Sequence, residues 1–329
     1  MLLLLNFIFV LKYSLNSQRT LCMKELVEKI NKLKKEKNAV ILAHCYQNIE
    51  IDEVADFVGD SLYLSRQAAK TDADIIIFAG VYFMAQVAKI LSPDKRVFLP
   101  RMESGCLMAD MITLKDLRDF KSQHPDIPVV CYINSTAEVK TECDICVTSS
   151  NAVDVVRSLN VPEVLFLPDT YLGKWVERQL HGTKVITYPG FCPTHMRIRT
   201  SDIENAKILL PNAKVLAHPE CKKEVTDIAD FVGSTKDIMN FVKHSSYDKF
   251  IIATEKGVTD RLTRDYPNKI FIPAAKNLIC PNMKWNTLAD IYNVLLNEEN
   301  EIFVDENISS KAINCINRML EVTEKCLTK

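Results

Sequence analysis

Several things are scarce in this chain, and each shortage removes a class of function. Charge of one sign is missing: 41 lysines and arginines against 42 aspartates and glutamates leave a formal net charge of −1 over 329 residues. No basic stripe breaks that balance, so nothing supports a nucleic-acid partner. Cysteine, at 11, is too sparse for a secreted disulfide scaffold, and the odd number leaves at least one thiol unpaired. A reducing, cytoplasmic setting with metal-binding or catalytic thiols is the expectation. Long apolar runs are missing too. The stretch from Met1 to Val10 is too short to span a bilayer. It also lacks the leading positive charge and the small-residue cleavage site of a secretory signal. Residues 1–22 are therefore expected to be an extension or a mis-called start, since Met23 directly precedes an amphipathic stretch from Lys24 to Lys35. Low-complexity linkers are absent as well. What remains is 47% apolar and 25% charged, an ordinary globular chain with room for two or three domains.

What the chain does have is an internal repeat. Leu42-Ala43-His44 returns as Leu216-Ala217-His218, and Ala55-Asp56-Phe57-Val58-Gly59 returns as Ala229-Asp230-Phe231-Val232-Gly233. Between Val40–Ser61 and Lys214–Thr235 there are nine identities in 22 positions, where chance would give about one or two. A more diverged middle copy keeps the frame, with Tyr132, Asp144 and Ser149 at the places of His44, Asp56 and Ser61. Each copy ends in a cysteine: Cys106, Cys192 and Cys280. A period this long controls the fold reading. Each copy therefore carries a polar ring residue (His44, Tyr132, His218), a hydroxyl (Ser61, Ser149, Thr235) and a thiol. Three such sets converging on an axis would make one central site; copies that merely stack are the alternative.

Short apolar runs alternate with helix-period stretches. Strands are predicted near Ala39–Ala43, Ile75–Phe78 and Arg96–Leu99, then Pro128–Tyr132, Val164–Leu167 and Lys184–Thr187, then Lys214–Ala217, Phe250–Ile252 and Ile270–Ile272. Each copy reads strand, helix, strand, helix, strand. Strands of this kind are covered on both faces and belong to parallel sheets with right-handed crossovers. The fold expected is α/β, with three homologous αβα sandwich domains of short parallel sheets around a pseudo-threefold axis. Their boundaries are set at 23–124, 125–210 and 211–329, the last including closing C-terminal helices. Ligands in such folds sit beyond the carboxyl ends of the strands, where His44, Tyr132 and His218 fall.

The three thiols follow strands that end at Pro100, Pro189 and Pro273, and two are followed at once by Pro193 and Pro281. Proline favours the first turn of a helix, whose dipole favours thiolate. Three thiolates leave a tetrahedral metal one ligand short. A Cys₃ zinc site and a four-iron cluster with one open iron both satisfy that arithmetic. The competing motif Cys143-Asp144-Ile145-Cys146 suggests a redox pair or half a zinc site. The repeat maps its cysteines onto Ala55/Ala229 and Val58/Val232, so both are expected to be buried fillers, as is Cys131. Cys45 and Cys221 are expected near the crevice, and Cys22, Cys315 and Cys326 to be incidental.

Asn134 and Glu220 occupy the place that holds Tyr46 in the first copy, and Glu220 and Tyr46 suit acid–base work once burial shifts them. Ser61, Ser149 and Thr235 stand where helices begin. They read either as simple N-caps or as an anion site for a small substrate with several negative groups.

The motifs Ala43-His44-Cys45-Tyr46-Gln47, Phe78-Ala79-Gly80-Val81-Tyr82-Phe83-Met84, Val147-Thr148-Ser149-Ser150-Asn151-Ala152, Gly190-Phe191-Cys192-Pro193-Thr194-His195, His218-Pro219-Glu220-Cys221 and Cys280-Pro281-Asn282-Met283-Lys284, with Gly105-Cys106, make the chain resemble the quinolinate synthase family over about residues 38–290. That resemblance implies three αβα domains and one [4Fe-4S] cluster with three cysteine ligands, Cys106, Cys192 and Cys280, and one iron open to substrate. It implies condensation of iminosuccinate with dihydroxyacetone phosphate to quinolinate, with loss of phosphate and water, in NAD biosynthesis. An aspartate-oxidising enzyme would supply the imine. Substrate contacts would be His44, Ser61, Tyr132, Asn134, Ser149, His218, Glu220 and Thr235, with Tyr46, Tyr132 and Glu220 handling protons. Cys45 and Tyr82 depart from the family's usual tyrosine and histidine. A binder with structural zinc and a different Lewis-acid dehydratase are the two rival readings.

Overall fold

The structure, a computed structural model, describes residues 22–327. The expected extension therefore lies, apart from Cys22, outside the described residues. Helix α1 (residues 22–36) leads into three successive units of one design. The first holds β1 (Ala39–His44), β2 (Phe57–Gly59), α2 (Ser61–Lys70), β3 (Ile75–Ala79), α3 (Tyr82–Leu91), β4 (Arg96–Phe98) and α4 (Leu114–Ser122). The second holds β5 (Val129–Tyr132), α5 (Ala137–Lys140), β6 (Ile145–Val147), α6 (Ala152–Leu159), β7 (Glu163–Leu167), α7 (Thr170–Gln179), β8 (Lys184–Thr187) and α8 (Thr200–Leu209). The third holds β9 (Lys214–Ala217), α9 (Lys223–Asp227), β10 (Phe231–Val232), α10 (Thr235–His244), β11 (Lys249–Ala253), α11 (Lys256–Asp265) and β12 (Ile270–Pro273). Helices α12 (Pro281–Lys284), α13 (Leu288–Asn297) and α14 (Glu306–Leu327) follow.

Each unit forms a four-stranded parallel sheet of the same order, β2-β1-β3-β4, β6-β5-β7-β8 and β10-β9-β11-β12. Helices flank all three sheets, which makes the architecture three αβα sandwiches. The inner strands are apolar because both faces are covered: every residue of Ile75–Ala79 and of Val129–Tyr132 is buried. Burial of each such side chain stabilises the fold by roughly 1.5–3 kcal/mol.

The sequence pattern predicts three strands per unit, and the structure has a fourth. The extra strands, β2, β6 and β10, are only two or three residues long, too short to display any periodicity. They are built from the most faithful part of the repeat, and its aspartate explains why. The Asp56 carboxylate accepts from the Ile41 amide at 2.8 Å, while the Asp56 amide donates to the Ile41 carbonyl at 2.9 Å. Asp144 makes the same reciprocal pair with Val129, at 2.7 and 3.0 Å, and Asp230 with Val215, at 2.8 and 2.9 Å. One side chain thus fixes the register between the edge strand and its neighbour: Leu42 pairs with Phe57, Val130 with Ile145 and Leu216 with Phe231.

The last two helices do not stay with the third sheet. Ile291, Val294 and Leu295 of α13 share a core with Ile41 and Ile77 of the first sheet. Ala312, Cys315, Ile316 and Met319 of α14 share one with Val130, Cys131 and Cys146 of the second. The chain end thereby ties the units together. Among the described residues no helix is long and apolar enough to cross a membrane.

Replacing the register aspartate isolates its contribution. Asp144→Ala is expected to lower the unfolding free energy by about 1–2 kcal/mol, because the Val129 amide loses its acceptor, and Asp144→Asn by less. Denaturant titration of the two variants checks both values.

Candidate active site

A cavity of about 120 Å³ is lined by residues from all three units. Every predicted site residue lines it: His44, Tyr46, Ser61 and Cys106 from the first unit, Tyr132, Asn134, Ser149 and Cys192 from the second, and His218, Glu220, Thr235 and Cys280 from the remainder of the chain. The reason is topological. β1 and β5 end at His44 and Tyr132, and His218 directly follows β9, so the first strand of each sheet delivers a ring to the carboxyl-end crevice.

The two histidines are held alike. The Tyr46 amide donates to His44 Nδ1 at 3.1 Å and the Glu220 amide to His218 Nδ1 at 3.3 Å. Each imidazole thus carries its proton on Nε2. Burial depresses both to about 3, helped at His44 by the Arg261 charge and opposed at His218 by Glu220. Both are neutral donors at ordinary pH. His218 Nε2 stands 3.3 Å from Ser149 Oγ, in the neighbouring unit.

One chain of polar contacts runs around the cavity. Tyr132 donates to Glu220 Oε1 at 2.6 Å. His195 Nδ1 lies 2.7 Å from Glu220 Oε2, without the alignment of a hydrogen bond. His195 Nε2 is 2.9 Å from Thr254 Oγ1, which is 2.9 Å from the Tyr46 hydroxyl, itself 3.0 Å from Thr235 Oγ1. Glu220 is only 4% exposed. Burial pushes its carboxyl up, but the imidazoles of His218 and His195 and the Tyr132 hydroxyl outweigh this and hold it below the usual range. Tyr46 and Tyr132 move the other way: burial and the Glu220 charge push both phenols well above their ordinary value. They are proton donors facing an ionised carboxylate.

The hydroxyls are not N-caps. Asp60 caps α2 by accepting from the Tyr63 amide at 2.9 Å, and Ser234 caps α10 in a box with Asp237. Asn151 holds the cap position of α6, and its side chain accepts from the Thr148 amide at 2.6 Å. Ser61 and Thr235 are therefore first helical residues, with hydroxyls left for the cavity. Asn134 Oδ1 is buried there with no hydrogen-bond partner among the described residues.

The three thiols share this cavity; Cys280 raises Cys106 through its charge, and Cys106 and Cys280 both raise Cys192. Only Cys280 caps a helix, with Pro281 in the first turn; Cys106 and Cys192 instead precede short 3-10 turns. Burial raises all three thiols, Cys106 to about 12, despite backbone amides directed at the sulfurs. The expected thiolate preference is thus reversed by desolvation, and a bound cation is what would restore it. The ligand atoms of Cys192, His195 and Glu220 also lie within 4.8 Å of one another, a group able to hold a metal ion.

The other cysteines depart from expectation only at Cys143 and Cys315 among the described residues. Cys45 and Cys221 are buried but do not line the cavity. Cys146 and Cys131 are buried as expected and Cys143 is half-buried, whereas Cys315 is not incidental: it is 1% exposed, its sulfur 3.3 Å from that of Cys146. Sequence reasoning gave no role to His195 or Thr254. His195 follows Cys192 by three residues, where the other copies have Ala109 and Met283, so the repeat hides it.

Side chains around the cavity hold its wall through backbone carbonyls. Arg261, 1% exposed, donates to the Cys45 carbonyl at 2.7 Å and the Gln47 carbonyl at 3.1 Å. Lys284 donates to the Tyr46 carbonyl at 2.6 Å. Asn282 donates to the Gly105 carbonyl at 2.8 Å, joining the Cys280 turn to the Cys106 turn. Gly257 is required by closeness, since a Cβ there would stand 2.8 Å from the Cys45 carbonyl oxygen.

A three-unit α/β enzyme whose polar and sulfur groups converge on one buried cavity is the class that this geometry defines. The family model described as quinolinate synthetase A protein matches residues 28–321. A quinolinate synthase of Alkaliphilus metalliredigens is 50% identical over 297 residues, covering 90% of this chain and 98% of that protein. Quinolinate synthase 2 of Methanosarcina acetivorans is 51% identical over 299 residues (91% and 96%), and the Aquifex aeolicus quinolinate synthase 46% over 306 residues (92% and 95%). The chain belongs to the quinolinate synthase family.

The depressed histidines set a pH dependence. Unfolded imidazoles bind protons near pH 6.5, while His44 and His218 stay neutral in the fold down to about 3. Between those values the unfolded state holds more protons, so stability falls as pH drops from 6.5 toward 3. Proton NMR of the two rings is expected to show no titration between pH 5 and 8; a midpoint near 6.5 for either ring would contradict it.

Proposed function

We propose that this chain makes quinolinate by condensing iminosuccinate with dihydroxyacetone phosphate, releasing phosphate and water, as a step of NAD synthesis in the cytoplasm. Its metal centre in this reading is a [4Fe-4S] cluster held by Cys106, Cys192 and Cys280. The observation that carries the proposal is the chain of close polar contacts from Thr235 to Tyr132 beside the cavity that three thiols line, in a member of this family. When bound, such a cluster has one iron without a protein ligand and supplies Lewis-acid pull on a departing hydroxyl.

The rest falls to the chain's own side chains. His44 and His218 present neutral Nε2–H donors, and Ser61, Ser149 and Thr235 add hydroxyls, two of them in the first turns of α2 and α10. Carboxylate and phosphate groups suit that set, because it offers donors and helix N-termini but no competing anion apart from Glu220 and Asp60. Asn134 orients the substrate through its unpartnered carbonyl oxygen and its amide. Glu220, ionised and dry, takes the proton lost when the triose phosphate enolises. Tyr132 hands a proton to the oxygen that gains charge as Glu220 takes one up. Tyr46 does the same on the opposite wall, where its hydroxyl meets those of Thr254 and Thr235.

An enzyme that oxidises aspartate is the partner this reading requires upstream, because the imine hydrolyses in water. Three measurements on protein purified without oxygen test the proposal. Iron and acid-labile sulfide are expected near four each per chain; zinc without sulfide would leave only a binder. Quinolinate should form from the two substrates, and a cluster-replete sample making none would favour a different dehydratase. Cys192→Ala should lose both the brown colour and turnover. Glu220→Gln should keep the colour while turnover falls by roughly 10²–10⁴, so a fully active variant would remove Glu220 from the mechanism.

A further inference from the structure

Four cysteines that the proposed reaction does not use gather behind the second sheet. Cys131 and Cys146 are paired neighbours on β5 and β6. Cys143 lies just before β6 and is half-buried. Cys315, on α14, brings its sulfur to 3.3 Å from that of Cys146, and both residues are at most 1% exposed. This is closer than sulfurs sharing a tetrahedral metal stand, which is about 3.8 Å for zinc–sulfur bonds of about 2.3 Å, and no three of the four meet the spacing that the Cys192 group meets. A buried cation sits beside them. Lys140 is 1% exposed, donates to the Ile133 carbonyl at 2.9 Å and to Ser135 Oγ at 3.0 Å, and has no carboxylate partner among the described residues. Ser135 Oγ is in turn 2.9 Å from the Cys131 sulfur.

We propose that Cys146 and Cys315 are a redox-linkable pair whose disulfide staples α14 to β6. The oxidant is a peroxide, small enough to reach a buried thiol. The Cys146 sulfur attacks one peroxide oxygen, and the thiol's proton passes to the departing oxygen. The O–O bond breaks, water leaves, and a sulfenic acid remains. The Cys315 sulfur then attacks that sulfur, the S–O bond breaks, a second water leaves and the disulfide closes. Two electrons pass from two thiols to one peroxide. Burial opposes ionisation of the Cys131 thiol, and the Lys140 charge beside these sulfurs works the other way. The link reaches the cavity wall through α14, because Thr323 accepts from the Asn151 side chain at 2.8 Å and Asn151 accepts from the amide of Thr148, next to Ser149.

The test is independent of quinolinate formation and of cluster content. The full chain is treated with one equivalent of hydrogen peroxide, the remaining thiols are alkylated under denaturing conditions, and the digest is read by mass spectrometry. The expected product is a Cys146–Cys315 linked peptide at least ten-fold more abundant than any other pairing of these four cysteines, lost on reduction. Cys143→Ser should retain it and Cys315→Ala abolish it. Hydrogen exchange in α14 should slow at least ten-fold in the oxidised wild-type chain. A dominant Cys143–Cys146 link, both sulfurs of the pair alkylated, zinc bound by the four thiols, or unchanged exchange in α14 would each overturn the proposal. The wild-type digest decides the pairing even if a variant fails to fold.

Discussion

A carboxylate stripped of water has to find its partners in protein, and Glu220 finds them across unit boundaries. It belongs to the third unit, while Tyr132 and His195 belong to the second. The same holds further along the chain of contacts. Thr254 of the third unit meets His195 of the second and Tyr46 of the first. No unit alone could keep these groups satisfied, and an unsatisfied buried charge costs several kcal/mol. The cavity is therefore a condition for the units to pack together as they do, as well as a consequence of that packing.

What makes the constraint tolerable is the rigidity of the supports. The Tyr46 turn is clamped from behind by two cations on backbone carbonyls, Arg261 and Lys284. Arg261 is neutralised by Asp52 at 2.5 Å, and Lys284 stands 3.4 Å from Glu255. Glu255 also accepts from the Cys280 amide at 3.3 Å. The wall that holds Tyr46 and the wall that holds Cys280 are thus parts of one electrostatic lattice. Side chains locked in this way give the positional precision that proton transfer over hydrogen-bond distances needs.

The sequence disclosed whatever the three copies share. His44, Tyr132 and His218, the three hydroxyls and the three thiols could be found by alignment of the chain with itself, and all of them line one cavity. Most of the strands were legible from apolar runs for the same reason, that burial on both faces leaves a strong signal. The short edge strands were not, because two or three residues cannot show a period. Residues that break the symmetry were also hidden. Thr254 aligns with Gly80 and Pro168, and His195 with Ala109 and Met283. Cys315 lies beyond the repeat altogether, and only α14 folding back onto the second sheet brings it to Cys146.

The division between shared and unshared positions carries a chemical meaning. A metal centre that uses three like ligands is served by symmetry, and the thiols are identical in all copies, as is the aspartate that sets each edge-strand register. Acid–base chemistry requires unlike groups: a base that stays ionised and donors that stay protonated cannot be the same residue in the same surroundings. At the position two beyond each strand-end ring the copies have diverged to Tyr46, Asn134 and Glu220, and burial drives Tyr46 up while its partners drive Glu220 down. Divergence at that one repeat position gives three equivalent lobes unlike groups, a phenol held protonated, an amide and a carboxylate held ionised. Constancy at the cysteines, in the same lobes, keeps the three sulfurs as the invariant part of the site.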